Sequence, residues 1–263
     1  MLAICSSKKL RFSDVFSMND CMEMHWGYGI WELAASELIN ELGKEFLDEI
    51  DKNIHVSGLL GLPVISCLSL QGDVLSQWRA YADDGKGYAI GFRSNQLAKM
   101  PVRPIRVLYD KGAQIREVKT TVQAIHAAML AGGLDELGGF SSLCFGLATD
   151  LAALKNPAFF EEQEVRLVHL LDLRRGNSSL HLVDEGGTAF GAEVPGEPVS
   201  FLIRGDTPAA FIDLKFAKDG EPNAIAEVVI GPKNHALPSG ISIFLETLGL
   251  NSVKVRKSIA SYR

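Results

Sequence analysis

The chain has no run of about 18 apolar residues, so no membrane span is expected. Its opening apolar stretch is too short for a secretory leader. Positive charge is scarce: 26 Lys and Arg stand against 32 Asp and Glu, a net −6, which argues against a general nucleic-acid binder. Two local basic groups remain, Arg103, Arg106 and Lys111, and Lys254, Arg256 and Lys257. The four cysteines (Cys5, Cys21, Cys67 and Cys144) are scattered without a C-x-x-C pair. That excludes the usual zinc and redox motifs and makes a reducing cytoplasm the expected location. Cys67 and Cys144 lie in apolar surroundings and are expected as core fillers. The six histidines lack metal-ligand spacing, so no metal is predicted, and His25 alone stands in an aromatic polar cluster. No P-loop, G-x-G-x-x-G, H-E-x-x-H or G-x-S-x-G is present. No Pro/Ser/Gly-rich or highly charged linker divides the 263 residues, and 1–263 is expected to form a single domain.

What is present is a chain of 47% hydrophobic and 22% charged residues in mixed patterns. Strands are predicted at residues 9–13, 64–70, 88–92, 105–109, 199–204, 211–214, 224–230 and 253–256. Helical spacing covers 21–51 as one or two amphipathic helices, and recurs at 74–82, 115–130, 141–154 and 239–248. A turn is expected at Met18-Asn19-Asp20, another at Asp83 to Gly87, and breaks at Gly132-Gly133 and Gly138-Gly139. Residues 174–198 read as a glycine-rich excursion, a lid or a surface hairpin. Strands and helices without regular βαβ alternation predict an α+β fold, a mixed and largely antiparallel sheet flanked by amphipathic helices.

The densest chemistry runs from Lys155 to Arg166 and then into an apolar strand. Side chains two apart on a strand share a face, so Glu162, Glu164 and Arg166 should point one way. Two carboxylates beside a guanidinium can hold one acid protonated and the other ionised, or grip ribose hydroxyls. The same residues can equally form a salt-bridged strand entrance worth about 1 kcal/mol or less. Trp78 and Tyr81 lie three apart on a predicted helix beside the Gly85-Lys86-Gly87 turn. They form either a stacking wall for a base or an anchor between strands. Gly231-Pro232-Lys233-Asn234, between a strand and a helix, is a weaker candidate for presenting backbone N–H groups to a phosphate.

Taken in order, these motifs resemble the bacterial domain-of-unknown-function family 2971. The resemblance rests on Cys67-Leu68-Ser69, Trp78-Arg79-Ala80-Tyr81 and Lys86 to Phe92. It extends to Arg11-Phe12-Ser13 with Asn19-Asp20, to Lys155 to Phe159 with Glu162, Glu164 and Arg166, to Ile230-Gly231-Pro232, and to the closing Ser258 to Arg263. Members usually carry an extra first strand with a Tyr-His-Tyr-Thr-like motif, and this sequence starts just after its expected position.

The layout of aromatic pair and E-x-E is similar to that of ADP-ribosyltransferases. That similarity implies NAD as substrate, no metal, and transfer of ADP-ribose to an unidentified protein or nucleic-acid acceptor, or NAD hydrolysis. It assigns Glu164 to the ribose hydroxyl and the oxocarbenium-like transition state, and Glu162 to the acceptor. Trp78 or Tyr81 would stack, with Ser69, Arg166 and Arg11 completing the cofactor site. A toxin or phage-defence effector fits this reading. The alternative is a non-enzymatic module that binds a nucleotide or a protein through the same residues.

Overall fold

The computed structural model describes residues 1–15, 23–57, 61–132 and 139–262. The turn expected at Met18-Asn19-Asp20, Cys21, the Gly133 and Gly138 breaks and Arg263 lie outside the described residues. The elements in chain order are α1 (Leu2–Ser7), β1 (Lys9–Asp14), α2 (Glu23–Leu42), α3 (Lys44–Val56), β2 (Gly61–Ser69), α4 (Leu75–Tyr81), β3 (Tyr88–Phe92), α5 (Ser94–Leu97), β4 (Arg103–Arg106), α6 (Lys111–Leu130) and α7 (Gly139–Leu151). After a 3-10 turn at Pro157–Glu162 come β5 (Glu164–Arg175), β6 (Leu180–Val183), β7 (Gly187–Ala189), β8 (Ala192–Val194), β9 (Ser200–Arg204), β10 (Thr207–Lys215), β11 (Ile225–Ile230), α8 (Pro238–Thr247) and β12 (Lys254–Lys257).

The expected α+β class holds. A seven-stranded, wholly antiparallel sheet runs β4-β5-β2-β1-β10-β9, with β6 also on β5. A second sheet, β12-β11-β3, combines one parallel and one antiparallel pairing. Phe12, Val64, Leu167, Leu171 and Ile212 of the large sheet share one core with Ile225, Val228 and Ile230 of the small one, and Ile241 and Leu245 of α8 join it. Within β11, alternation turns Val228 and Ile230 to one face of the small sheet and Glu227 and Val229 to the other.

The helices build a separate core. Ile30, Trp31, Ala34 and Leu38 of α2 meet Leu47 and Ile50 of α3, Val118, Val122 and Ile125 of α6, and Cys144, Leu147 and Leu151 of α7. Each set falls on one helical stripe. Gly43 separates α2 from α3 with φ of 83°, in the left-handed region where glycine carries no Cβ penalty. Asp51 then ties the two helices by accepting from Tyr28 and Trp31, each at 2.8 Å.

Several boundaries differ from the sequence reading. The strand expected at 105–109 ends at Arg106, because Leu108 leaves to bridge Leu154. α6 starts four residues earlier than its apolar stripe, where the Asp110 side chain accepts from the Ala113 N–H and caps it. Helix α1 was not foreseen; its six residues are too few to show a period. Residues 174–198 form β6 and the β7–β8 hairpin, pinned where Asp184 accepts from the Gly186 and Glu197 N–H groups and lies 2.7 Å from His169.

Candidate functional site

The site forms where four segments meet at the start of β5. Register places Ser69 of β2 opposite Glu164, and Cys67 and Ile105 on either side of Arg166. All five therefore share the face of β5 turned away from the inter-sheet core. Glu162 arrives differently. It is not on the strand, as the two-residue spacing suggests, but ends the 3-10 turn. Gln163, at φ 40°, then swings the chain into β5. Glu162 and Glu164 converge, as expected, but through a left-handed corner rather than through strand periodicity.

Lys155 is the hub. Its ammonium lies 2.6 Å from Glu162 Oε2 and 3.1 Å from Glu164 Oε2, and the side chain is 6% exposed. The leash is short, since the Lys155 N–H donates to the Leu108 carbonyl and its own carbonyl accepts from the buried Gln114 amide. The Phe159 ring covers the ammonium at 4.9 Å. Arg166, 1% exposed, grips Glu164 bidentately at 2.9 and 3.1 Å and donates its remaining arm to the Ala152 carbonyl. Among the described residues two cations and two carboxylates thus cancel, which makes their burial tolerable.

The two carboxylates have different lives. An ionised carboxylate offers about four acceptor positions. Glu164 receives two bonds from Arg166, one from Lys155 and one from the Cys67 thiol. Burial pushes its carboxyl up, but the Arg166 guanidinium, with Cys67 and Lys155, outweighs that and holds it at about 2. It is an ionised, saturated group. Glu162, by contrast, receives two bonds from the described residues, from Lys155 and from the Tyr81 hydroxyl at 2.8 Å. Tyr81 is 60% exposed, and partial burial together with Glu162 pushes its phenol up to about 12, so it stays a donor. Behind them Tyr109 accepts the Glu164 N–H and packs edge-on against the exposed Phe160.

The remaining candidates play other parts. Trp78, 3% exposed, does not share a wall with Tyr81; its indole N–H donates to Asp73 at 2.7 Å. Asp73 also accepts from Ser258, the Ile259 N–H and Arg256, and its carboxyl is held at about 2 as those bonds outweigh burial. The indole is an anchor for the closing segment. Ser69 donates to the Glu162 carbonyl and accepts from Gln71 and Gln77, fastening the 3-10 turn to β2. Arg11 lies outside the cluster. Asp213 holds it bidentately at 2.9 and 3.0 Å, above the Phe211 ring. Cys144 is buried as expected, whereas Cys67 is exposed, because the face it occupies is the polar one. The phosphate reading of Gly231 to Asn234 fails. The N–H groups of Gly231, Lys233 and Asn234 donate to Gly87, Gly85 and Gly231 carbonyls, and a Cβ on Gly231 would strike the Gly85 carbonyl. Among the described residues no His/Cys/Asp/Glu group could hold a metal ion.

Sequence reasoning gave no role to Lys155, Tyr109 or Gln114. Lys155 opens the motif that contains Glu162, and that proximity was the one available signal. The other two are brought in by tertiary contact.

Fold and site together define an α+β protein with a charge-balanced cluster at the mouth of a central strand. Residues 77–167 match the family described as "Protein of unknown function (DUF2971)", so the resemblance to that family holds there. The matched segment begins one residue before Trp78, ends one residue after Arg166, and contains Tyr81, Lys155, Glu162 and Glu164. No curated protein and no solved structure matches the chain.

Proposed function

We propose that the protein binds NAD at the patch formed by Tyr81 and Glu162 and acts on it as an ADP-ribosyltransferase-like enzyme. The observation that carries this reading is Glu162: a carboxylate fixed between Tyr81 and Lys155 with half of its acceptor positions taken by the described residues. A ribose hydroxyl donates to one of the two open positions, the other is left for the acceptor's proton, and the exposed phenol ring of Tyr81 offers a stacking face. The acting residue is then Glu162, not Glu164. In the reaction the C1′–N bond of NAD breaks and its electron pair leaves with nicotinamide. An acceptor oxygen, from water or from a protein or nucleic acid, bonds to C1′ and gives its proton to Glu162. A fixed anion beside the developing positive charge lowers the barrier. Glu164, shared between Arg166 and Lys155, offsets part of the positive charge behind Glu162.

Calorimetric titration with NAD and chromatographic detection of nicotinamide, with and without cell lysate as a source of acceptors, test the proposal. NAD should bind, and Glu162→Gln should weaken binding at least tenfold and stop nicotinamide release. Absence of both binding and release would overturn it.

The saturation of Glu164 favours a second reading, a binding module without turnover. Binding of NAD with no nicotinamide release under any acceptor condition would select it.

A further inference from the structure

The opposite face of β5 bounds a different space. Val165 and Leu167, with Leu68 of β2, form one wall of a cleft of about 650 Å³ between the two sheets. The other wall is the face of the small sheet that carries Gly91, Glu227 and Val229. Alternation along β5 separates this cleft from Glu164 and Arg166 by the thickness of the strand. Its volume falls within the range of small-molecule sites.

Its chemistry is selective. Glu227 is the sole charged side chain among the described residues lining it. Arg256 lies 2.9 Å and Lys254 3.4 Å from that carboxylate, and both hold its carboxyl below the usual range, so it is ionised at neutral pH. Neither cation lines the cleft. Gly91 is the cross-strand partner of Glu227, and the missing side chain leaves bare backbone beside the carboxylate. That backbone has no φ that calls for glycine, and a Cβ there would meet nothing closer than Glu227 Cβ at 3.4 Å. The absent side chain therefore makes room rather than relieving strain.

We propose that this cleft is a second ligand site, which takes a planar, nucleobase-sized heteroaromatic carrying an N–H donor and no phosphate. The flat ring lies on the backbone at Gly91 between apolar walls, and its amino group donates to Glu227. A phosphate is disfavoured because no lysine or arginine lines the cleft to receive it, and Arg256 and Lys254 are engaged with Glu227 from outside it. The site stands independently of the Glu162 patch.

Calorimetry with adenine and with 2-aminobenzimidazole tests it, with AMP as the phosphate-bearing control. At least one of the two rings should bind, and AMP should bind at least tenfold more weakly than adenine. Gly91→Leu, which fills the cleft, should weaken ring binding at least tenfold, and Glu162→Gln should leave it unchanged. If Gly91→Leu does not fold, Ala98→Phe closes the cleft from an exposed helix end and should have the same effect. Failure of both rings to bind at millimolar concentration would overturn the proposal. So would binding that survives the cleft-filling variant that folds, or AMP binding as tightly as adenine.

Discussion

Asp73, just before α4, and Glu164, at the start of β5, are each a carboxylate hub. Each accepts four bonds. Asp73 takes Trp78, Ser258, Ile259 and Arg256; Glu164 takes Arg166 twice, Lys155 and Cys67. In both, bonding overcomes burial and holds the carboxyl at about 2. The difference lies one step outward. Beyond Asp73 the bonds run into the closing segment, where Tyr262 lies under Lys233 and donates to Asp84. Beyond Glu164 they run through Lys155 to Glu162 and an exposed phenol. One hub closes on the protein's own chain; the other opens to solvent. Saturation marks a carboxylate that holds the fold, and partial occupancy marks the one able to meet a ligand.

The largest break in this comparison should come from Arg166→Met. It strands Glu164 in a buried site with its main cation removed, and unfolding in urea should register a loss of about 3–5 kcal/mol. Asp73→Asn should lose roughly 2–3 kcal/mol by the same measurement. Its second signature is local: amide hydrogen exchange should accelerate over residues 258–262 and stay unchanged around Glu162.

Acid should act on both hubs together. Their folded carboxyls titrate lower than in the unfolded chain, so the stability they contribute is present above the unfolded value and lost as pH falls. Stability should decline from about pH 5 toward about pH 2. Glu164→Gln should reduce that slope and lower stability at neutral pH, instead of leaving the fold untouched as a purely catalytic residue would.

The smallest stability effect belongs to the open end. Tyr81→Phe should shift unfolding by about 1 kcal/mol or less. It should nevertheless weaken NAD binding several-fold, because the phenol donor that orients Glu162 is gone. A large stability loss with unchanged binding would place Tyr81 among the fastenings instead.

Local rules made much of this legible. The strands at Tyr88–Phe92 and Ser200–Arg204 and the helical stripes of α2 and α6 follow from side-chain period. The convergence of Glu162, Glu164 and Arg166 was also foreseeable, although its geometric cause was not. A left-handed corner at Gln163, a residue with no strong preference for that region, replaced the continuous strand that spacing suggests. Trp78 and Tyr81 illustrate the limit of helical spacing. Three residues apart, they are neighbours on a wheel, but whether a ring points into Asp73 or out to solvent depends on what packs against the helix.

The sequence by itself therefore determined most of the longer elements, the α+β class, the family resemblance over the segment that carries the charges, and the identity of the two carboxylates. Those are properties of nearest neighbours and short periods. Only the tertiary structure decided which carboxylate is consumed and which is open. The donors that saturate Glu164 come from β2, from β5 itself and from the loop after α7, and those of Asp73 come from α4 and the far C-terminal segment. Arg166 is a near neighbour of Glu164, but Cys67 and the Asp73 donors Arg256, Ser258 and Ile259 are distant in sequence, and no local pattern records their arrival.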